Sequence, residues 1–157
     1  MYPRRVRENV TRSACSIAPD CTSSYRTRPA KIGSPAASAE VQPSGAIEHA
    51  LRVTFSRTQR GYIHPATHYA SSETDPDAPP MGLRLRLRAD YDISGFTGDA
   101  RVILEAMRRY GLIVADNGSN WYVSGATDAR WDDDDLNQLK DVPGSAFEVV
   151  HTGAVRP

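Results

Sequence analysis

The chain has none of the short signatures that usually disclose a reaction centre. From Gly45 onward it contains no Gly-rich phosphate loop, no GxSxG elbow, no HExxH pattern and no Cys-His pair. These absences weigh against nucleotide enzymes and the common hydrolases, and no cofactor is implied. Cysteine is scarce: Cys15 and Cys21 are the only two, and both precede the segment that reads as folded. They can close a small loop if oxidised but make neither a disulfide framework nor a metal site. No apolar run approaches the roughly 18 residues of a membrane span. Between Arg7 and Cys21 nothing supplies the apolar stretch of about 7–15 residues that a secretion signal requires.

Net charge is also missing, but through cancellation. Of 19 Lys and Arg and 19 Asp and Glu, the first 44 residues hold seven basic and three acidic, leaving 12 against 16 beyond them. A net of +4 is thus set against −4, and the acidic balance of the second part argues against nucleic acid as a partner. Met1 to Ser44 is rich in Ser, Thr, Arg, Pro and Ala, and its few apolar residues follow neither a helical nor a strand period. Such a stretch cannot bury enough apolar surface to offset an ordering cost of roughly 1–2 kcal/mol per residue, so a disordered tail over 1–44 is expected. A transit peptide fits its composition, against Asp20 and the prolines. An alternative is that the native coding sequence starts upstream and this stretch is not native.

Gly45 to Pro157 carries consistent folding signals. Gly45 to Ala50 allows one helical turn. Leu51, Val53 and Phe55 alternate with Arg52 and Thr54 at the period of a half-buried strand. Tyr62 to Tyr69 reads as extended or irregular because Pro65 biases His64 away from the helical region, and Ser71 to Pro80 as a polar loop. Leu83, Leu85 and Leu87 alternate with Arg84, Arg86 and Arg88, giving one core face and one cationic face. A helix is predicted from an N-cap at Thr97 to Tyr110, with Ala100, Ile103, Leu104 and Met107 as its apolar stripe and Gly111 as its left-handed cap. Leu112 to Ala115 reads as a buried strand, Asp116 to Ser119 as a turn, and Asn120 to Ser124 as the returning strand of a hairpin. A short helix beginning among Asp132 to Asp135 and running to Lys140, then a strand over Phe147 to Val150, complete the pattern. The fold class is α+β, an antiparallel or mixed sheet with one main helix and short helices.

Four stretches, Gly45-Ala46-Ile47-Glu48-His49-Ala50-Leu51-Arg52, Tyr62 to Ser72 (with His64-Pro65-Ala66-Thr67-His68-Tyr69), Pro79-Pro80-Met81-Gly82-Leu83-Arg84 and Tyr110 to Tyr122, carry a resemblance. Together they resemble the C-terminal part of a family of largely uncharacterised, usually exported bacterial proteins, over nearly all of Gly45 to Pro157. The resemblance implies a shared fold and an extracellular or periplasmic location more than a reaction. In that family a longer β-rich region comes first, and Met1 to Ser44 does not resemble it, so 45–157 is expected to be the C-terminal portion of a larger domain.

Candidate chemistry is confined to a few positions. His64 and His68, four apart, could flank a ligand with Asp116 and act as general base or hydrogen-bond donor; with Pro65 between them a zinc-binding helix is not expected. Asp116, Asn117, Ser119 and Asn120 lie beside Trp121 and Tyr122, and sugar recognition pairs an aromatic ring against a pyranose face with amides and carboxylates on its hydroxyls. The competing reading is an ordinary Asn-Gly turn with a packed tryptophan. Asp132 to Asp135 lacks the alternating ligands and glycine of a calcium loop and reads as a helix start. Arg84, Arg86 and Arg88 form either an anion-binding stripe or the wet face of a strand, and Tyr62, Tyr69 and Trp131 are core or groove residues. Two function classes result. One is a carbohydrate-binding or carbohydrate-processing domain for polysaccharide, with His64, His68, Asp116 and Asn117 on the site wall and Trp121 as platform. The other is a noncatalytic structural or interaction module, truncated as given, that self-associates through an uncovered sheet edge.

Overall fold

The computed structural model describes residues 45–126, 131–150 and 152–157. The expectations for Met1 to Ser44, including both cysteines, lie outside the described residues. Five strands form one mixed sheet: β1 (Leu51–Phe55), β2 (Arg84–Leu87), β3 (Leu112–Asn117), β4 (Tyr122–Ser124) and β5 (Phe147–Val150). Their spatial order is β4-β1-β3-β2-β5. The β1–β3 pair is parallel, and the other three pairs are antiparallel. The main helix α1 spans Gly98–Arg109 and the short helix α2 spans Asp133–Leu136. Two 3-10 turns follow, Asn137–Asp141 and Gly144–Ala146. The α+β class expected from the alternating patterns is the architecture found.

Alternation along each strand sorts side chains to two faces. Leu51, Val53, Phe55, Leu85, Leu87, Leu112, Val114 and Val123 are all buried, and they meet Ala100, Ile103, Leu104 and Met107 of α1 in one core. On the opposite face Arg52, Arg86 and Glu148 are exposed and no helix covers them among the described elements. The sheet therefore has one packed face and one open face.

Three local expectations need correction. The turn of helix over Gly45 to Ala50 does not form; that segment is irregular and hands over to β1 through Leu51 N donating to the Gly111 carbonyl at 3.0 Å. No hairpin joins β3 to β4. After β3 the chain crosses the end of β1 and pairs with its far side, Tyr122 opposite Thr54 and Ser124 opposite Arg52. The crossing is held by Thr54 Oγ1 donating to the Ser119 carbonyl at 2.8 Å, and the left-handed residue is Trp121 (φ 54°), so the Asn117-Gly118 pair does not supply the turn.

The start of α1 is the third. Thr97 is extended as an N-cap should be, but its hydroxyl accepts no backbone amide of the helix. The free amides are met by α2 and its following turn. Ala100 N donates to Asp135 Oδ2 at 2.9 Å, Thr97 N donates to Gln138 Oε1 at 3.2 Å, and Gln138 Nε2 donates to Asp135 Oδ1 at 2.6 Å. A carboxylate at a helix N-terminus also meets the positive end of the macrodipole. Asp135→Ala is expected to lower stability by about 1–2 kcal/mol, the loss typical of a cap. The urea midpoint would read it, and an unchanged midpoint would show that water serves α1 equally well. At its own start α2 is capped as the sequence suggests, by Asp132 Oδ1 accepting from Asp134 N and Asp135 N. Gly111 ends α1 in the left-handed conformation (φ 82°), as expected.

Candidate functional site

Of the residues singled out from the sequence, Asp116, Asn117, Asn120, Trp121 and Tyr122, but not His64 and His68, gather where the parallel strands β1 and β3 end. Their polar atoms are largely engaged by the chain itself. Thr58, the one fully buried polar side chain among the described residues, donates its hydroxyl to Asn117 Oδ1. Asn117 Nδ2 in turn donates to the Ala70 carbonyl at 3.1 Å. Asn120 Oδ1 accepts from both Ser56 N (2.9 Å) and Ser56 Oγ (3.0 Å), and Asp116 Oδ1 accepts from Asn117 N at 2.8 Å. Asn117 and Asn120 thus clamp the 56–70 segment onto the sheet end, a role no turn statistic would have suggested.

His64 and His68 are both exposed on the irregular loop before Gly82, beyond a cis His64–Pro65 peptide. His68 Nδ1 lies 3.4 Å from Thr67 Oγ1. Among the described residues no three His, Cys, Asp or Glu side chains converge as metal ligands would. Tyr69 of the same loop is exposed, with the Arg60 guanidinium 5.8 Å from its ring centre. Tyr62 is fixed in the fold through mutual backbone bonds with Arg156 (2.9 and 2.8 Å). Tyr122 is half-buried in β4 on the open face.

Trp121 departs furthest from expectation. Only 4% of it is exposed, and its ring stacks edge-on to Phe55 (5.0 Å between centres) and tilted against Phe147 (4.9 Å). Gly144 lies against the ring, where even a Cβ would sit 3.0 Å from it. Buried to that degree it cannot serve as a sugar platform, and it is instead a keystone joining β1 to β5 across the core.

A cleft of about 250 Å³ opens elsewhere, lined by Arg88, Asp90, Tyr91, Pro143, Ser145 and Ala146. The sequence places its walls by simple means. Arg88 extends the β2–β5 ladder by donating its amide to the Ala146 carbonyl at 2.9 Å, and Tyr91 N donates back to the Arg88 carbonyl at 3.2 Å, closing a turn. Arg108 reaches from the last turn of α1 and donates to the Tyr91 carbonyl. At the solvent-exposed rim of this turn Arg88 and Asp90 form a bidentate pair, Nε to Oδ1 at 3.0 Å and Nη2 to Oδ2 at 2.6 Å. The hydrogen bond to Arg88 is the main reason the Asp90 carboxyl is held below the usual carboxylate range, and the same bond raises the Arg88 guanidinium. Burial, then the carboxylates of Asp141 and Asp92, push the Tyr91 phenol above its ordinary value, so it stays a neutral donor at physiological pH.

The cleft therefore offers an apolar strip (Tyr91, Pro143, Ala146) beside an exposed, hydrogen-bonded cation–carboxylate pair and the exposed Ser145. Its volume falls below the roughly 300–1,000 Å³ of sites that enclose drug-sized ligands and suits one ring of a larger molecule. In the sequence Arg88 reads only as part of a charged strand face. The legible signal was the Arg88-Ala89-Asp90-Tyr91 run at a strand end, and what hid its meaning was Pro143 to Ala146, more than fifty positions away.

No helix among the described residues is long and apolar enough to cross a membrane. Comparison of the chain with protein-family models, with curated proteins and with solved structures finds no match.

Proposed function

We propose that residues 45–157 form a carbohydrate-binding module of an exported bacterial protein, with its site in the Tyr91 cleft. The observation that carries this reading is the pairing within one small cleft of an aromatic side chain with the polar groups of Arg88, Asp90 and Ser145. Apolar ring faces and hydroxyl-directed hydrogen bonds are what a sugar requires together. The resemblance of Gly45 to Pro157 to exported bacterial proteins, read from the sequence alone, is consistent with a setting in which polysaccharide is at hand.

Retention of the full chain on insoluble polysaccharide and titration with soluble oligosaccharides test it. Tyr91→Ala is expected to weaken binding about two- to tenfold, since an aromatic contact contributes ~0.5–1.5 kcal/mol. Unchanged retention in a variant with a native far-ultraviolet spectrum would remove the cleft from consideration. A second reading, an interaction module, is favoured by the open face of the sheet.

A further inference from the structure

The register of the sheet brings together two arginines that lie 32 positions apart. Arg52 pairs with Ile113, and Ile113 pairs with Arg84, so the three form one row across β1, β3 and β2 on the open face. Two strand spacings separate the arginine backbones by roughly 9–10 Å. Arg52 is exposed; Ile113 and Arg84 are half-buried.

Neither flanking arginine forms a salt bridge among the described residues. Arg84 donates one Nη1–H to the Tyr110 carbonyl at 3.0 Å and has no carboxylate partner there. Arg86, one row on, is matched by Glu148 at 2.6 Å, which leaves that carboxylate compensated. Asp116 lies opposite Thr54 toward the far end of the face, with one oxygen occupied by Asn117 N. Among the described residues, two cations without a carboxylate partner thus bracket an aliphatic side chain on a domain whose composition is net acidic. The strand pair beneath them is parallel, and parallel strands are ordinarily covered on both faces.

We propose that this open face docks an acidic amphipathic helix of a partner polypeptide, its carboxylates on Arg52 and Arg84 and its apolar stripe on Ile113. The backbone spacing of the row suits a helix. Residues i and i+7 of an α-helix stand about 10.5 Å apart along its axis, with i+3 and i+4 between them on the same side. An extended strand would place same-face residues at about 6.7 or 13 Å, and neither fits the row. The first 44 residues of the chain, at +4, have the wrong sign to be the occupant. This inference rests on the interaction reading and is independent of the Tyr91 cleft.

The probe is a synthetic helical peptide with glutamate at i and i+7 and leucine at i+3 and i+4, titrated into the full chain by nuclear magnetic resonance and by fluorescence anisotropy. Shifts should centre on Arg52, Ile113 and Arg84, and affinity should fall steeply with added salt. Arg52→Glu should weaken binding about tenfold or more, whereas Arg101→Glu, the same charge change on the exposed side of α1, should leave it unchanged. No binding, or equal loss in both variants, overturns the proposal. Polyuronate binding at these residues without peptide binding overturns it in favour of an acidic polysaccharide. Sedimentation that shows self-association abolished by Arg52→Glu would keep the interaction reading and remove the helix. Saccharide retention should be unaffected by Arg52→Glu, so failure here leaves the cleft standing.

Discussion

Trp121→Ala is expected to remove about 3–5 kcal/mol of folding stability, the upper range for aromatic truncation in a core. The ring is 4% exposed, sits between Phe55 and Phe147, and fills the space left by Gly144. Deleting it disconnects β1 from β5 and leaves a void that the glycine cannot help to close. A typical domain has only about 5–15 kcal/mol of net stability, so this variant should lose much of its native population. Trp121→Phe should cost distinctly less. Phenylalanine keeps part of the packing and deletes an indole N–H that is buried without an acceptor among the described residues, and an unmet buried donor costs ~1–3 kcal/mol. Urea denaturation of the pair decides the matter. A loss below about 1 kcal/mol for the alanine variant would mean that the ring is not a core element, and would reopen its use as a ligand platform.

Gly82→Ala should be comparably severe for a different reason. Gly82 has φ 80°, and a Cβ on it would lie 1.9 Å from the Ile63 carbonyl oxygen and 3.0 Å from the Ala66 methyl. The obstruction is backbone, so no side-chain rotation relieves it. The same residue donates its amide to the Val114 carbonyl at 2.8 Å, carrying the β3 ladder into the loop. Moving Gly82 away from Ile63 therefore breaks the end of the β2–β3 ladder. A loss of at least about 3 kcal/mol is expected, beyond the ~1–2 kcal/mol for placing an L-residue in the left-handed region alone. Gly45→Ala supplies the control, because Gly45 has φ 71° with nothing within 4 Å of a new Cβ. If the two alanine variants unfold at the same denaturant concentration, the close approach to Ile63 is not what makes Gly82 necessary.

What could be read from the chain was whatever depends on near neighbours. The Leu-Arg alternation of β2, the apolar stripe of α1 and its Gly111 cap are settled by a few adjacent residues, and all are found in place. The α1 start was misread because its cap comes from Asp135, some 35 positions on, and a Thr before a helix is a sound but purely local signal. The hairpin was misread for a similar reason. Asn-Gly favours a tight reversal, yet β1 competes for β4 and wins through Thr54, Ser56 and their bonds to Ser119 and Asn120. In the site, the polar richness of Asp116 to Asn120 was visible but its partners were not. Thr58 and Ala70 convert what looked like free ligand groups into internal fastenings. The Tyr91 cleft and the Arg52–Ile113–Arg84 row both arise from segments that meet only in three dimensions.

Strand β1 has a further significance during synthesis. Both of its partners, β3 and β4, are encoded after it, and Ser124 at the end of β4 lies 69 positions beyond Phe55. At translation rates of roughly 5–20 residues per second, Leu-Arg-Val-Thr-Phe waits about 3–12 s before β3 is made, and up to about 14 s with the β4 edge unpaired. A β-rich pentapeptide in that condition invites pairing with other nascent chains. Arg52, its second residue and its one charge, acts over that interval as a charged guard on the strand before it contributes anything to the folded surface.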